Sequence, residues 1–332
     1  MSSINKIVCI AGASGLVGSN LVKEGLCRGY KVRGTCRNIN DSEKVYYLNK
    51  LQGADRRLDL FEADMSRPGS FDKVLYGVDC VFIACLIPIY FGVSGKPAKE
   101  MEYKQAYDEI ISLTVNGCIN ILESAVKNGV RNVVICSSTS STNPLPAVGI
   151  KNESHWSDEE FQCQEKKYTS AAKTVMEKAA IRFADENNIR LSIIMPTGLY
   201  GPVIIPRHMS GNPHVWIERL ICGEEGRHSD VPNDSTSLIH LEDLAKIFFA
   251  AYENIHASGR YYGVYDSWHW EDIYAELQKH LPGMIMPHRP YDIPVEPTRF
   301  DFTRRDSLGV SLRDIPTCIK ETVDWLKLEP FK

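Results

Sequence analysis

No two of the ten cysteines stand in C-x-x-C spacing, and none joins a histidine at the spacing of a zinc site. This argues against a thioredoxin-like redox pair and a zinc-ribbon module. Several thiols lie inside apolar runs, Cys9 in IVCIAG and Cys85 in CVFIAC, where cysteine acts as a small buried hydrophobe. Reduced core thiols in a cytoplasmic protein are the expectation. Blocks of like charge are missing too, and the formal net charge is only −4. Without a basic stripe, neither a nucleic acid nor a membrane surface is an expected partner. No uninterrupted apolar run approaches the ~18–20 residues of a membrane-spanning helix. The opening MSSINKIVCIAGASG is too short in apolar residues to form a signal-peptide core. There is no internal repeat, low-complexity tract or linker. What remains is a chain of 332 residues, 43% hydrophobic, enough for one large domain or two smaller ones.

Short apolar runs alternate with amphipathic stretches through the first 200 residues. KIVCIAG (6–12), KVRGTC (31–36), LDLFEAD (58–64), DCVFIACL (79–86), NVVICSS (132–138) and RLSIIMP (190–196) predict six strands. Helical spacing is found at 16–27, 42–51, 100–128 and 165–187, with a short helix starting near Ser70. Apolar strands alternating with helices imply a parallel sheet covered on both faces. The fold class is therefore α/β, a Rossmann-type doubly wound sheet. After Gly201 the chain turns rich in Pro, Gly, His and Asn, with short helices predicted near 214–222, 242–254, 270–280 and 314–327. The expected division is a dinucleotide domain over 1–200, to which strands return at about 236–265. Residues 201–332 would form mainly a smaller α/β substrate lobe.

Gly12, Gly15 and Gly18 form a G-x-x-G-x-x-G spacing between the first strand and first helix. Such glycines allow a tight turn and bring backbone N–H groups close to a diphosphate, which then meets the helix N-terminus. Gly12, Ser14, Gly15, Leu16, Val17 and Gly18 are thus cofactor candidates. The second strand ends in Arg37 rather than the acidic residue that binds the ribose hydroxyls of NAD, and Lys44 follows. A guanidinium suits a ribose 2′-phosphate, so NADP(H) is the expected cofactor. Asp64 and Met65 border the expected adenine position, and Cys85 and Leu86 the cofactor path.

These residues resemble a family. GASGLVGSNLVKEGLCRGYKVRGTCR, ADMSRPGSFD (63–72), VNGCINILESAVKNGVRNVVICSS (115–138), KTVMEKAA (173–180), MPTGLYGP (195–202) and IHLEDLA (239–245) are similar to the extended short-chain dehydrogenase/reductases. The likeness falls in the dihydroflavonol reductase and cinnamoyl-CoA reductase branch of the NAD(P)-dependent epimerase/dehydratase superfamily. It implies an NADPH-dependent reductase of a small-molecule carbonyl, acting as a monomer or homodimer. It also implies a catalytic Ser, Tyr and Lys. Ser138 takes the place of the hydroxyl that polarises the carbonyl, with Thr139 as the alternative. Asn143 takes the place of a substrate-orienting amide. Lys173 becomes the lysine that holds the nicotinamide ribose and lowers the pKa of the acid, and Pro196 and Leu199 belong to the turn that walls the nicotinamide.

The tyrosine departs from the pattern. The family motif is Y-x-x-x-K, but four residues before Lys173 stands Thr169, and Tyr168 lies one position earlier. On a regular helix, residues four apart differ by about 40° around the axis and residues five apart by about 140°. Three outcomes are open. A π-bulge or a late helix start carries Tyr168 into the site. Alternatively, Thr169 occupies the acid's position and the chemistry is altered, as in a C=C reduction. The last is that the protein binds NADP(H) without turnover, as a sensor or scaffold. Tyr200 is a substitute acid or, more simply, core. His208, His214 and His228 are loop residues without metal-site spacing, His240 a helix cap, and Trp268 and Trp270 lobe core.

Overall fold

The computed structural model describes residues 6–85 and 90–331. Leu86 therefore lies outside the described residues. Among the described residues ten strands are formed: β1 Ile7–Ala11, β2 Lys31–Cys36, β3 Leu58–Glu62, β4 Cys80–Ile83, β5 Asn132–Cys136, β6 Arg190–Pro196, β7 Leu199–Tyr200, β8 Ser235–His240, β9 Gly259–Gly263 and β10 Asp266–His269. Seven build one parallel sheet in the order β3-β2-β1-β4-β5-β6-β9. The order reverses between β1 and β4, and a cleft opens beyond the strand ends at such a switch point.

The apolar runs account for this sheet. Every residue of β4 and all of β1 after Ile7 are buried, because helices cover both faces. On one face helices Leu16–Cys27 and Leu241–Glu253 enclose Val8, Ile10, Phe82, Phe248 and Phe249. On the other, helices Ser112–Lys127 and Tyr168–Glu186 enclose Cys9, Val81, Ile121 and Ile193. A second sheet, β10-β8-β7, packs with helices His214–Ile221, Trp270–His280 and Ile315–Lys327 around Trp216, Trp270 and Tyr274. Of the segment expected to return to the main sheet at about 236–265, β9 does so. β8 instead joins the small sheet, paired parallel to β7 and antiparallel to β10. His240 caps helix Leu241–Glu253, its ring accepting from the Glu242 N–H, and Trp268 and Trp270 pack in the lobe as expected.

The helix Tyr103–Lys127 is long and apolar enough, by length and composition, to cross a membrane, although no uninterrupted run suggests it. Half of its most apolar window is buried, and it packs on helices Tyr168–Glu186 and Asp72–Leu75. Nor are all thiols core: Cys27 and Cys222 are exposed.

Candidate active site

The turn after β1 is closed by its own backbone. Gly12 has φ +86°, and a Cβ there would lie 2.7 Å from that of Cys85. A Cβ on Gly18 would lie 2.0 Å from the Gly12 carbonyl oxygen, so the helix presses directly on the turn. The Gly15 N–H donates to Gly12 and that of Ser19 to Gly15, at 3.0 and 2.8 Å. Gly15 caps helix Leu16–Cys27 with no side chain. The N–H groups of Leu16, Val17 and Gly18 have no partner in the preceding turn and are available to an anion.

A cavity of about 460 Å³ opens over this turn. It brings together seven of the expected residues, namely Gly12, Ser14, Gly15, Arg37, Asp64, Met65 and Cys85. Its size is that of a small-molecule cleft. The Arg37 guanidinium makes no hydrogen bond or ion pair among the described residues. Burial raises the Asp64 pKa, but bonds from the Ser66 N–H and hydroxyl, with the charges of Arg67 and Arg37, outweigh it. The carboxyl is held below its ordinary value. Cys85 is a neutral thiol, pushed up to about 12 by burial. A glycine-closed helix terminus, a free guanidinium and an apolar wall fit an adenine dinucleotide.

Lys44 is a correction. It pairs with Asp41 at the start of helix Ser42–Asn49 and does not line the cavity. Arg207, on the short 3₁₀ turn Pro206–Ser210, does line it, and the sequence did not single it out. Beside it His208 is buried, with Nε2 3.2 Å from the Ser14 carbonyl oxygen. A neutral ring donates there. Burial, with Arg207 adding to it, pushes the ring's pKa down to about 4, against about 6.5 when unfolded. The unfolded chain therefore binds more protons between these values, and the ring's contribution, full above about pH 6.5, fades as pH falls towards 4. Melting curves at pH 7 and 5 should show a larger loss for the wild type than for His208→Gln. Equal losses would contradict this.

The catalytic candidates gather at the ends of β5 and helix Tyr168–Glu186. Lys173 is 3% exposed and its Nζ donates to the Cys136 carbonyl at 3.0 Å, where β5 ends. Burial holds it below the usual lysine range, although Cys136 and Glu177 oppose the shift. Ser138 caps the turn Thr139–Ser141, its hydroxyl accepting from the Ser140 N–H at 3.2 Å. The Thr139 carbonyl takes two bonds from Thr142, and its hydroxyl has no partner among the described residues. Asn143 is exposed and accepts from Lys151 Nζ at 2.7 Å. Pro196 ends β6 and Leu199 opens β7, outside the cavity lining.

No bulge rescues Tyr168. Helix Tyr168–Glu186 is α-helical from its first residue, and the π turn lies elsewhere, at Tyr107–Ile111. Tyr168 is buried with Met101, Ala106, Ile110 and Ala171, its hydroxyl 3.4 Å from the Met101 carbonyl oxygen. Thr169 stands one turn before Lys173 on the same face. Tyr200 is buried in the lobe core, and burial raises its hydroxyl pKa. His214 is likewise buried, and its Nε2 carries the proton and donates to the Gly201 carbonyl at 2.7 Å.

A buried ion pair supports this region. Glu177 accepts from Arg260 Nε at 2.8 Å and from the Ser137 hydroxyl. Arg260 also donates to the Ser141 carbonyl and hydroxyl and to the carbonyls of Glu153 and His155, with its guanidinium 3.6 Å from the Trp156 ring centre. It holds the Ser/Thr turn against helix Tyr168–Glu186. Glu177 was visible only as part of KTVMEKAA, and nothing marked its partner.

The chain matches the NAD dependent epimerase/dehydratase family over residues 8–264. It belongs to that family. It is 32% identical to the cinnamoyl-CoA reductase CAD2 of Medicago truncatula over 340 residues, 99% of this chain and 98% of that one. With the dihydroflavonol 4-reductase of Callistephus chinensis it shares 36% over 260 residues, 76% of this chain and 67% of that one. Among solved structures, the yeast methylglyoxal/isovaleraldehyde reductase Gre2, complexed with NADPH, is similar in fold. The TM-score is 0.79 at 21% identity, covering 98% and 99% of the two chains. The chain is thus an oxidoreductase of the extended short-chain kind, and its cofactor is a nicotinamide adenine dinucleotide. In this family member the glycine turn and Asp64 line the cavity, Lys173 is buried at the end of β5, and Tyr168 lies in the core.

Proposed function

We propose that the protein reduces the carbonyl of a small to medium organic molecule with NADPH. The observation that carries the cofactor choice is Arg37. Where an NAD site offers a carboxylate, the cavity is lined by Arg37, whose guanidinium has no hydrogen bond or ion pair among the described residues. The relatives named as reductases support the reaction class. When bound, the nicotinamide supplies a hydride to the carbonyl carbon.

The chain itself must then give a proton to the carbonyl oxygen. In this reading Lys173 is the acid. Its buried ammonium has a lowered pKa and lies one turn from Thr169. A threonine hydroxyl is too weak an acid to lose a proton outright, but it can accept one from Lys173 while passing its own to the substrate oxygen. Ser138 or Thr139 donates a second hydrogen bond to that oxygen, and solvent returns the proton to Lys173. Because the ammonium form is required, turnover falls as pH rises through the lysine's pKa.

Tyr168→Phe should therefore retain turnover within about twofold, since the ring stays packed and only the long bond to Met101 is lost. A loss of a hundredfold would return Tyr168 to the role of acid. The burial of Tyr168 favours one second reading, an NADP(H)-binding protein that reduces C=C bonds or turns nothing over. NADPH consumption across aldehydes, ketones and enones separates the two. Consumption with saturated aldehydes or ketones supports carbonyl reduction, and none with a folded, NADPH-binding sample removes it.

A further inference from the structure

The adenosine end of the cavity is built from two distant parts of the chain. Arg37 follows β2, while Arg207 comes from the turn Pro206–Ser210, beyond the last strand of the first 200 residues. Both residues line the same cavity, and neither guanidinium has a hydrogen bond or ion pair among the described residues. Arg207 also borders the groove along Ser42, Glu43 and Tyr46, so it lies at the end of the cavity nearest Arg37 and helix Ser42–Asn49. Asp41 reports the same position. Its carboxyl is held down mainly by Lys44 and, further, by the charge of Arg207.

The turn that carries Arg207 is fixed in place. Ile205 on one side is fully buried in the core beside the main sheet. His208 on the other bonds the phosphate turn at Ser14. A cation between two buried anchors loses little further freedom when it meets an anion. Lys44 is meanwhile engaged by Asp41.

We infer that Arg207 is the second cation of the 2′-phosphate site, so that Arg37 and Arg207 grip one phosphate from two distant parts of the chain. This rests on the reading that the cofactor is NADP(H). Cofactor choice is then a joint property of the end of β2 and the anchored turn Pro206–Ser210.

The test is equilibrium titration of wild type, Arg37→Ala, Arg207→Gln and Arg207→Lys with NADPH, NADH, 2′,5′-ADP and 5′-AMP, at low and high salt. Arg207 is exposed, so its variants should fold. For Arg207→Gln the expected result is about tenfold or greater loss for NADPH and 2′,5′-ADP, with NADH and 5′-AMP changed less than about twofold. The lysine variant should recover part of the loss, and the wild-type preference should shrink with salt. If Arg207→Gln keeps the full preference while Arg37→Ala loses it, the inference about Arg207 falls and the cofactor reading stands. Equal losses for phosphorylated and unphosphorylated ligands also overturn it, assigning Arg207 to the diphosphate. A wild type that binds NADPH no tighter than NADH overturns the reading beneath it.

Discussion

Replacing Lys173 with methionine is expected to lower turnover roughly a hundred- to ten-thousandfold, the range of a lost general acid. Methionine keeps the unbranched stem in its pocket among the ends of β5 and helix Tyr168–Glu186. It removes the ammonium and its bond to the Cys136 carbonyl. The charge is costly to bury, so the variant should melt no lower than wild type. That separates a chemical effect from a structural one. The accompanying pH profile is part of the prediction. The wild-type rate should fall on the alkaline side, at a pKa below the usual lysine value, and the variant's residual rate should lack that limb. Steady-state rates with the best substrate of the panel check both. A variant retaining more than about a tenth of wild-type kcat would remove Lys173 from the proton path.

Arg260→Met should destabilise the protein more than any other single change discussed, by about 3–5 kcal/mol. The reason is asymmetry. The pair Glu177–Arg260 is almost wholly buried, and removing the cation leaves the Glu177 carboxylate in the core with only the Ser137 hydroxyl. The carbonyls of Glu153 and His155 lose the guanidinium as donor as well, while that of Ser141 keeps the Ser157 N–H. Differential scanning calorimetry should show a melting point lower by roughly 4–7 °C. The double variant Glu177→Gln, Arg260→Met should recover part of it, because no charge remains buried. A single variant within 2 °C of wild type would show that the network is no support for the Ser/Thr turn.

The parallel sheet was legible because its strands are buried on both faces, so that β1 and β4 read as unbroken apolar runs. β8 was harder, since half of it is only partly buried and its partners are a two-residue strand and a later one. The phosphate turn was legible because its glycines answer to local geometry, as the close approaches at Gly12 and Gly18 make plain. The direction of Tyr168 also follows from counting residues along a regular helix. What could not be read were pairings across the chain: Glu177 with Arg260, 83 residues apart, and His208 with Ser14, 194 apart. Lys44 is different. Asp41 three residues before it was a local sign that this cation would be engaged, and the strand-end pattern drew attention past it.

Hydride delivery can be followed directly. Protein saturated with NADPH deuterated at nicotinamide C4 is incubated with saturated carbonyls and enones, and the products are read by mass spectrometry and NMR. The account predicts an alcohol with one deuterium on the former carbonyl carbon. Deuterium on the β-carbon of an enone with the carbonyl intact, or every compound returned unchanged by folded, NADPH-bound protein, would contradict it.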